Sequence, residues 1–319
     1  MNFEGLIGNT PMIKINYIYE GEKRHIYVKL EYYNFTGSIK DRIAYYILKK
    51  SKENGTLKDN QPIVEATSGN TGISLAALAC YLNHPIHIFM PDWVSIERKQ
   101  LMENYGAILH LVSREEGGFQ KAIKDADNLA KEINGFRSDQ FNNPDNVLAH
   151  YETTGIEILD KLKNIDGFVS GIGTGGTLMG IAKKLKEYDG NVKIYALEPK
   201  NLPILSAGTT FGSHKIEGIG DDFIPSIVDK DLLDDIILID DMDSINMSRI
   251  LAKKLGLGVG ISSGANFIAS ILANKNNENI VTVFPDDNKK YISTDLSKPV
   301  DQNQSFISNK IKLLNFEYV

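Results

Sequence analysis

The chain has 319 residues, more than one compact core usually holds, so we expect two packed lobes. Its 42% hydrophobic and 24% charged residues are the composition of an ordinary soluble globular protein. The net charge of -6 and the lack of a basic stretch exclude nucleic acid as an expected partner. Since no apolar run reaches membrane-spanning length and the N-terminus lacks a signal-peptide pattern, we expect a cytoplasmic protein with no membrane partner.

Apolar runs typical of strands alternate with amphipathic helical patterns along the chain. The predicted strands are Ile26–Leu30, Pro62–Ala66, Pro85–Met90, Ile108–Val112, Gly167–Ser170, Val192–Glu198, Ile236–Asp240 and Ile280–Phe284. The predicted helices include Ser38–Lys50, Thr71–Leu82, Ile96–Tyr105, Gly118–Glu132 and Leu178–Tyr188. In the first of these helices, Ile39, Ile43 and Ile47 recur at helical spacing and indicate one buried face. The alternation predicts an α/β fold whose sheets are mostly parallel and covered by helices on both faces.

Two segments bear on how the chain is divided and how it ends. Turn-forming residues cluster at Asn142–Asn146, which is the best candidate for a lobe boundary. The tail is polar from about Leu296 and then apolar over Ile311–Phe316. We expect this tail to dock either on the body of the protein or on a second subunit.

Three short motifs carry the chemistry. Lys40 lies just inside a predicted helix start, in the sequence NFTGSIKDR. The turns Thr67–Gly72 and Gly173–Thr177 each follow a predicted strand and enter a helix, where parallel sheets bind ligands. Backbone N–H groups in such turns can hold a phosphate, and a lysine amine forms Schiff bases with carbonyls such as that of pyridoxal phosphate. Together the motifs predict a covalently held phosphate cofactor.

A nicotinamide-dependent oxidoreductase is the alternative. The run Gly171–Gly176 fits the pattern G-x-G-x-x-G, and Glu198 ends a later strand at the spacing of a dinucleotide-binding unit. This alternative leaves Lys40 and the turn Thr67–Gly72 unexplained, whereas a smaller phosphate cofactor accounts for all three motifs.

Neither the histidines nor the single cysteine indicates a metal site. None of the six histidines has a recognised metal-binding spacing, so no metal is predicted. Cys80 lies in an apolar helical run and cannot form an internal disulfide. We expect it to be a small buried hydrophobic residue.

Several ordered motifs extend this pattern over nearly the whole chain, from LIGNTP at 6–11 to FPD at 284–286, by way of YGA at 105–107, HYETTG at 150–155, EGIG at 217–220 and GISSG at 260–264. On these motifs the chain resembles the fold-type II pyridoxal-phosphate enzymes of the cysteine synthase and cystathionine β-synthase group. The resemblance implies a fold like that of the tryptophan synthase β-subunit. It also implies a homodimer, and an N-terminal lobe at 35–145 with a mobile part that closes over substrate. Residues 1–34 plus 146–319 would form the C-terminal, cofactor-binding lobe.

The resemblance also implies roles for individual residues. Lys40 would hold pyridoxal phosphate covalently and act as the catalytic base at Cα. Asn70 would bind the 3′-oxygen of the cofactor, and Ser262 would face its pyridine nitrogen. The phosphate-binding residues would be Gly173, Thr174, Gly175, Gly176 and Thr177. The residues that hold the carboxylate of the amino-acid substrate would be Thr67, Ser68, Thr71 and Gln140.

The chain departs from the family pattern at two positions. Phe35 replaces a common proline, and we assign it no chemistry. Asp221 stands where cysteine synthases carry alanine and cystathionine β-synthases carry tyrosine, whereas the neighbouring Asp222 has a family counterpart. One interpretation of Asp221 is an ordinary solvated loop aspartate, since exposed carboxylates are the norm. The functional interpretation is a second general base whose charge would repel hydrosulfide and which would activate water.

We therefore expect β-elimination and β-replacement through an α-aminoacrylate, with L-cysteine and water giving L-serine and hydrogen sulfide. The alternatives are cysteine synthesis from O-acetylserine and sulfide, or condensation of a thiol in the manner of cystathionine β-synthase. A protein that binds the cofactor without turnover is the alternative outside enzymes.

Overall fold

The larger of two sheets contains the first and the last strands of the chain. This computed structural model describes residues 3, 5–276, 278–299, 303 and 305–319. Within this part, a seven-stranded sheet has the order β11-β1-β2-β10-β7-β8-β9. Its strands are β1 Met12–Tyr19, β2 Glu22–Leu30, β7 Gly167–Gly171, β8 Lys193–Pro199, β9 Asp235–Ile239, β10 Ile280–Phe284 and β11 Lys312–Tyr318. The pairs that β1 forms with β2 and β11 are antiparallel, and the other neighbours are parallel.

The smaller sheet is built from the part of the chain between β2 and β7. It has four parallel strands in the order β5-β4-β3-β6. Its strands are β3 Ile63–Ala66, β4 Ile86–Pro91, β5 Ile108–Val112 and β6 Phe136–Arg137. Every residue of β3 is buried, which is typical of a parallel strand covered on both faces.

Helices connect and cover the two sheets. The α-helices of the described residues are α1 Lys40–Glu53, α2 Asn70–Tyr81, α3 Ile96–Asn104, α4 Gly118–Glu132, α5 Asp145–Ala149, α6 Gly155–Lys161, α7 Gly176–Tyr188, α8 Ile204–Ala207, α9 Asp241–Leu255 and α10 Ile261–Ala273. One π-helical turn, His150–Thr154, joins α5 to α6. None of the helices in the described ranges is long and apolar enough to span a membrane.

Regular spacing of apolar residues decides which helix face is buried. Ile43 and Ile47 of α1 are almost fully buried, as their spacing predicts. In α4 the buried face consists of Ala122, Ala126 and Ala130, which pack against β3 and β4. Small residues at this spacing let the helix lie close to the sheet.

The two glycine-rich turns both follow the carboxyl end of a strand. The turn Thr67–Gly72 leads from β3 into α2, and the turn Gly173–Thr177 leads from β7 into α7. The first belongs to the four-stranded sheet and the second to the seven-stranded sheet. The fold therefore brings one such turn from each sheet to the space between them.

The predicted α/β class with mostly parallel sheets is confirmed, and each predicted strand overlaps an observed one. The prediction omitted β1, β6 and β11, and β2 begins at Glu22 rather than at Ile26. The apolar tail docks on the body, where β11 pairs with β1. The division into lobes at 35–145 and at 1–34 plus 146–319 stays a prediction.

The expectation for Cys80 was wrong, because this residue is exposed. It lies near the carboxyl end of α2, whose residues from Thr71 to Ala79 are all buried. The apolar run before Cys80 thus corresponds to the buried part of the helix, and the exposed part begins at Cys80.

Candidate functional site

The motifs identified in the sequence meet at a cavity between the two sheets. Most of the predicted site residues line it, namely Lys40, Thr67, Ser68, Asn70, Thr71, Gln140, Gly173, Thr174, Gly175, Thr177, Asp221 and Ser262. Gly176 lies beside this wall and packs against Asn146, whose Oδ1 a Cβ at position 176 would overlap. These positions come from both sheets, so the cavity exists only when the two are packed together.

Lys40 is the first residue of α1. The turn before it is held by Asp41, whose carboxylate accepts from the Thr36 amide at 2.7 Å and from the Thr36 hydroxyl at 2.5 Å. The Lys40 amide donates to Ser38 Oγ at 3.2 Å. Burial lowers the pKa of the Lys40 amine, while the nearby Asp286 and Asp221 carboxylates oppose that shift. A lysine with a lowered pKa is more often uncharged, as a nucleophile or base must be.

Gln140 stabilises the turn after β3 through two hydrogen bonds. The Thr71 hydroxyl donates to Gln140 Oε1 at 2.6 Å, and Gln140 Nε2 donates to the carbonyl of Ala66 at 2.9 Å. Asn70 contacts the segment that follows β10 of the seven-stranded sheet, since its Nδ2 donates to Asp286 Oδ2 at 2.7 Å. Its Oδ1 is buried and has no hydrogen-bond partner among the described residues. A polar group left unpaired at a cavity wall is typical of a site that binds a polar ligand.

The turn after β7 leads directly into α7, whose N-terminal cap is Gly175. The first N–H groups of a helix have no partner inside the helix, and they favour anions. Gly175 has φ +91°, a conformation that suits glycine. A Cβ on Gly173 would overlap the carbonyl oxygen of Gly218. The wall therefore needs glycine at both positions.

Two side chains behind this turn orient its hydroxyls. Asn146 Nδ2 donates to Thr174 Oγ1 at 2.9 Å. Thr177 Oγ1 lies 3.2 Å from His150 Nε2, and His150 is itself fully buried. Burial, together with the charges of Lys40 and Arg42, lowers the pKa of His150 to about 3, so this ring is neutral.

Asp221 provides a carboxylate on the same cavity. Burial, and then the neighbouring Asp222 carboxylate, raise the pKa of Asp221 to about 7, while Lys40 acts in the opposite direction. Asp222 is exposed and accepts a hydrogen bond from Gln120 Nε2 at 3.1 Å. Asp221 is therefore a carboxyl group that can take up and release a proton near neutral pH.

Ser262 is the second residue of α10 and is 5% exposed. Asn266, one turn later, fixes the helix to β7, because its Oδ1 accepts from the Gly171 amide at 2.9 Å. The cavity thus combines a lysine amine, a helix start rich in N–H groups, a hydroxyl at Ser262 and the unpaired Asn70 oxygen. This set of groups fits pyridoxal phosphate, which has an aldehyde, a phosphate, a ring nitrogen and a 3′-oxygen.

The contacts of Glu198 argue against the alternative of a dinucleotide-binding oxidoreductase. This carboxylate is 2% exposed, and it accepts from the amides of Leu205 and Ser206 at 2.7 and 3.0 Å. Glu198 therefore holds the start of α8 and is not available to bind a ribose.

The sequence reasoning missed two charged residues of the cavity wall, Arg98 and Glu217, which form an ion pair. Arg98 lies in the predicted helix at 96–105, but a lone charged residue on a helix is usually solvated, and nothing in the sequence places it near position 217. Glu217 begins the motif EGIG, which could have drawn attention to it, whereas no motif contains Arg98.

Comparison with known proteins agrees with this reading of the cavity. The family described as pyridoxal-phosphate dependent enzyme matches residues 3–286. A cysteine synthase of Staphylococcus aureus (strain N315) is 41% identical over 300 residues, which cover 92% of this chain and 96% of that protein.

Two solved structures are also similar over almost their full length. The crystal structure of a hydrogen sulfide-producing enzyme from Fusobacterium nucleatum has a TM-score of 0.95 and 50% identity, and covers 99% of this chain and 98% of that one. An Asp-to-Asn mutant of a hydrogen sulfide-producing enzyme, in complex with an α-aminoacrylate intermediate, has a TM-score of 0.96 with the same identity and coverage. The chain therefore belongs to the fold-type II pyridoxal-phosphate-dependent enzymes of the cysteine synthase group, which carry out β-elimination and β-replacement on amino acids.

Proposed function

We propose that this enzyme converts L-cysteine and water to L-serine and hydrogen sulfide, with Asp221 as the base that activates water. The observation that carries the proposal is the position of the Asp221 carboxylate on the cavity that Lys40 lines, with a pKa of about 7. The 50% identity to hydrogen sulfide-producing enzymes supports the release of hydrogen sulfide.

The cofactor and its lysine serve the first half of the reaction. Bound pyridoxal phosphate spreads the negative charge that develops at Cα, so that the β-substituent can leave. Lys40 holds the cofactor, and its Nζ then takes the proton from Cα and later returns it. The lowered pKa of Lys40 favours this role, since an uncharged amine can accept the proton.

The remaining cavity residues bind and orient. Thr67, Ser68, Thr71 and Gln140 hold the carboxylate of the amino acid. Asn70 binds the 3′-oxygen of the cofactor, Ser262 faces its ring nitrogen, and the segment from Gly173 to Thr177, Gly176 included, binds its phosphate. A neutral hydroxyl at the ring nitrogen, in place of a carboxylate, leaves the charge at Cα less stabilised and so favours prompt departure of the sulfur.

Asp221 serves the second half of the reaction. Its carboxylate removes a proton from water while the water oxygen forms a bond to Cβ, in the place that sulfur has left. The same negative charge disfavours a hydrosulfide anion, which would otherwise return and re-form cysteine. One water is consumed for each hydrogen sulfide released, because the proton that Asp221 takes from water balances the proton that the departing hydrosulfide takes up.

Cysteine synthesis is the second candidate, and the 41% identity to a cysteine synthase favours it. In that reaction sulfide replaces the acetate of O-acetylserine, and Asp221 would have no water to activate. Condensation of a thiol, in the manner of cystathionine β-synthase, would likewise bypass water.

The deciding experiment supplies L-cysteine as the sole substrate and measures sulfide, serine and pyruvate. Equal amounts of sulfide and serine support water as the nucleophile. Little sulfide, with rapid cysteine formation from O-acetylserine and sulfide, would overturn the proposal in favour of a cysteine synthase. Binding of cofactor without product from either pair would identify an inert binder.

Asp221→Asn then tests the base. We expect one equivalent of sulfide to be released at a nearly normal rate, followed by serine formation slowed by about a hundredfold. The control is Asp231→Asn, which removes an exposed carboxylate ten positions later that does not line the cavity, and it should leave both steps unchanged. An unchanged serine yield from Asp221→Asn would contradict the role.

We also propose that the enzyme is a cytoplasmic homodimer, since twofold assemblies are the commonest oligomers. Light scattering should give twice the mass of one chain. In the proposed division into lobes, part of residues 35–145 moves to close over substrate, which excludes water until the sulfur has left. Hydrogen exchange should then slow on substrate addition within 35–145 and change little in the remainder.

A further inference from the structure

The segment that carries Asp221 is attached on both sides of the cavity. Before Asp221, Gly220 is held by the seven-stranded side, where its amide donates to the Ile172 carbonyl at 2.9 Å. His214 Nε2 lies 2.7 Å from the Gly220 carbonyl oxygen. The chain therefore leaves a fixed point immediately before Asp221.

After Asp221, the segment contacts the region around the four-stranded sheet. The ring of Phe223 packs edge-on against Phe141, with the ring centroids 4.9 Å apart and an interplanar angle of 67°. Two polar contacts flank this pair, from Gln120 Nε2 to Asp222 and from Ser226 Oγ to Asn142 Oδ1 at 2.7 Å. Both polar contacts are exposed, so water competes with them and the aromatic pair is the stronger attachment.

Phe141, the partner of Phe223, is itself fixed by packing. It is 5% exposed, lines the cavity, and packs on its other side against Phe119 at 5.7 Å. Its neighbour Gln140 is held by hydrogen bonds to Thr71 and Ala66. Phe223 thus docks on the same short segment that supports the candidate carboxylate-binding residues.

We propose that Phe223 is a positioning residue for the addition of water, because its docking on Phe141 keeps the Asp221 carboxylate on the cavity. The inference deepens the proposed function and rests on it. Asp221 lies one residue from its anchor at Gly220 and two residues from Phe223. Without the second anchor, the backbone after Gly220 can swing the carboxylate towards solvent.

Displacement of the Asp221 carboxylate should be visible as a change in its pKa. Asp221 is half-buried, and the partial loss of its contact with water is the main cause of its raised pKa. A carboxylate that turns fully into solvent should therefore titrate closer to the ordinary value of about 3.9. The charged groups that act on it are Asp222 and Lys40, and Arg98 and Glu217 line the same cavity. None of these is altered by a substitution at Phe223.

The experiment compares Phe223→Ala with Ile224→Ala, which truncates the adjacent and more exposed apolar residue of the same loop. Rapid mixing with L-cysteine measures the first equivalent of sulfide, and steady-state assays measure serine. A carbon-13 titration of labelled aspartate, assigned with Asp221→Asn, reports the pKa of Asp221 without turnover.

For Phe223→Ala we expect a sulfide burst within about twofold of normal and serine formation slowed at least about tenfold, as a misplaced catalytic group requires. The pKa of Asp221 should fall from about 7 towards its ordinary value. Ile224→Ala should match the parent enzyme in all measurements. Phe223→Leu, which keeps an apolar contact and so guards against a misfolded alanine variant, should give intermediate values.

Two results would overturn the inference: an unchanged Asp221 titration in Phe223→Ala and Phe223→Leu, or equal slowing of sulfide release and serine formation. Failure of the proposed function looks different, because the parent enzyme itself would then make no serine from L-cysteine.

Discussion

Arg98 of α3 forms an ion pair with Glu217, which lies 119 positions further along the chain. Arg98 is buried, and its guanidinium lies over the ring of Tyr291 at 4.6 Å from the centroid. Arg98 Nη1 also donates to the carbonyl of Ser68 at 3.2 Å. The ion pair therefore ties the turn after β3 to the loop that carries the candidate water base.

Arg98→Gln should destabilise the protein, because it leaves the Glu217 carboxylate without its partner. We expect the free energy of unfolding to fall by about 3 kcal/mol, the lower end for a broken buried pair, since Glu217 is 25% exposed. Urea denaturation measures this loss. Lys183→Gln, which removes a positive charge at an exposed position of α7, should change stability by less than about 0.5 kcal/mol. Equal stability of the two variants would contradict the prediction.

Serine formation should depend on pH through Asp221, which activates water only as a carboxylate. With a pKa of about 7, the rate of water addition should rise about tenfold per pH unit below that value and level off above it. Asp222→Asn removes a negative charge that raises this pKa, so the midpoint should move to lower pH. The pH profile of serine release in single-turnover experiments measures the midpoint. A midpoint that stays in place or moves upward would rule out this coupling.

Gly173→Ala should weaken the binding of pyridoxal phosphate, because its Cβ would overlap the carbonyl oxygen of Gly218 and displace the turn. We expect the affinity for the cofactor to fall by about tenfold, which corresponds to about 1.4 kcal/mol of binding free energy. Equilibrium dialysis of the cofactor measures it. Gly190→Ala is the matched control, since no atom lies within 4 Å of the Cβ it would add. Equal affinity in both variants would show that the turn does not bind the phosphate.

His150 should make stability depend on pH. Its pKa is about 3 in the folded protein and about 6.5 when unfolded, so between these values only the unfolded chain binds the proton. The free energy of unfolding should therefore fall as pH drops below about 6.5, by up to about 1.4 kcal/mol per pH unit from this group. His150→Gln should remove that part of the slope in denaturation curves measured from pH 7 to 5. If the difference between parent and variant does not vary with pH, His150 is not buried in its neutral form.

Much of the fold followed from local patterns. The apolar runs that became β3, β5 and β10, and the helical spacing that became α4, were read from short windows, because strand and helix periodicities are properties of neighbouring residues. The strand β11 was not foreseen as a strand, since most of its residues are exposed and its partner is β1 at the other end of the chain.

The sequence alone determined the fold class, the family and the residue types that meet at the cavity, because glycine turns and the lysine motif act through backbone geometry over a few positions. Their individual roles stay predictions. Only the tertiary structure decided which charges face each other: the pair Arg98 and Glu217, and the placement of Asp221 near Lys40. Burial and the distance between charges set a pKa, and both depend on residues that are far apart in the chain and close together only once it has folded.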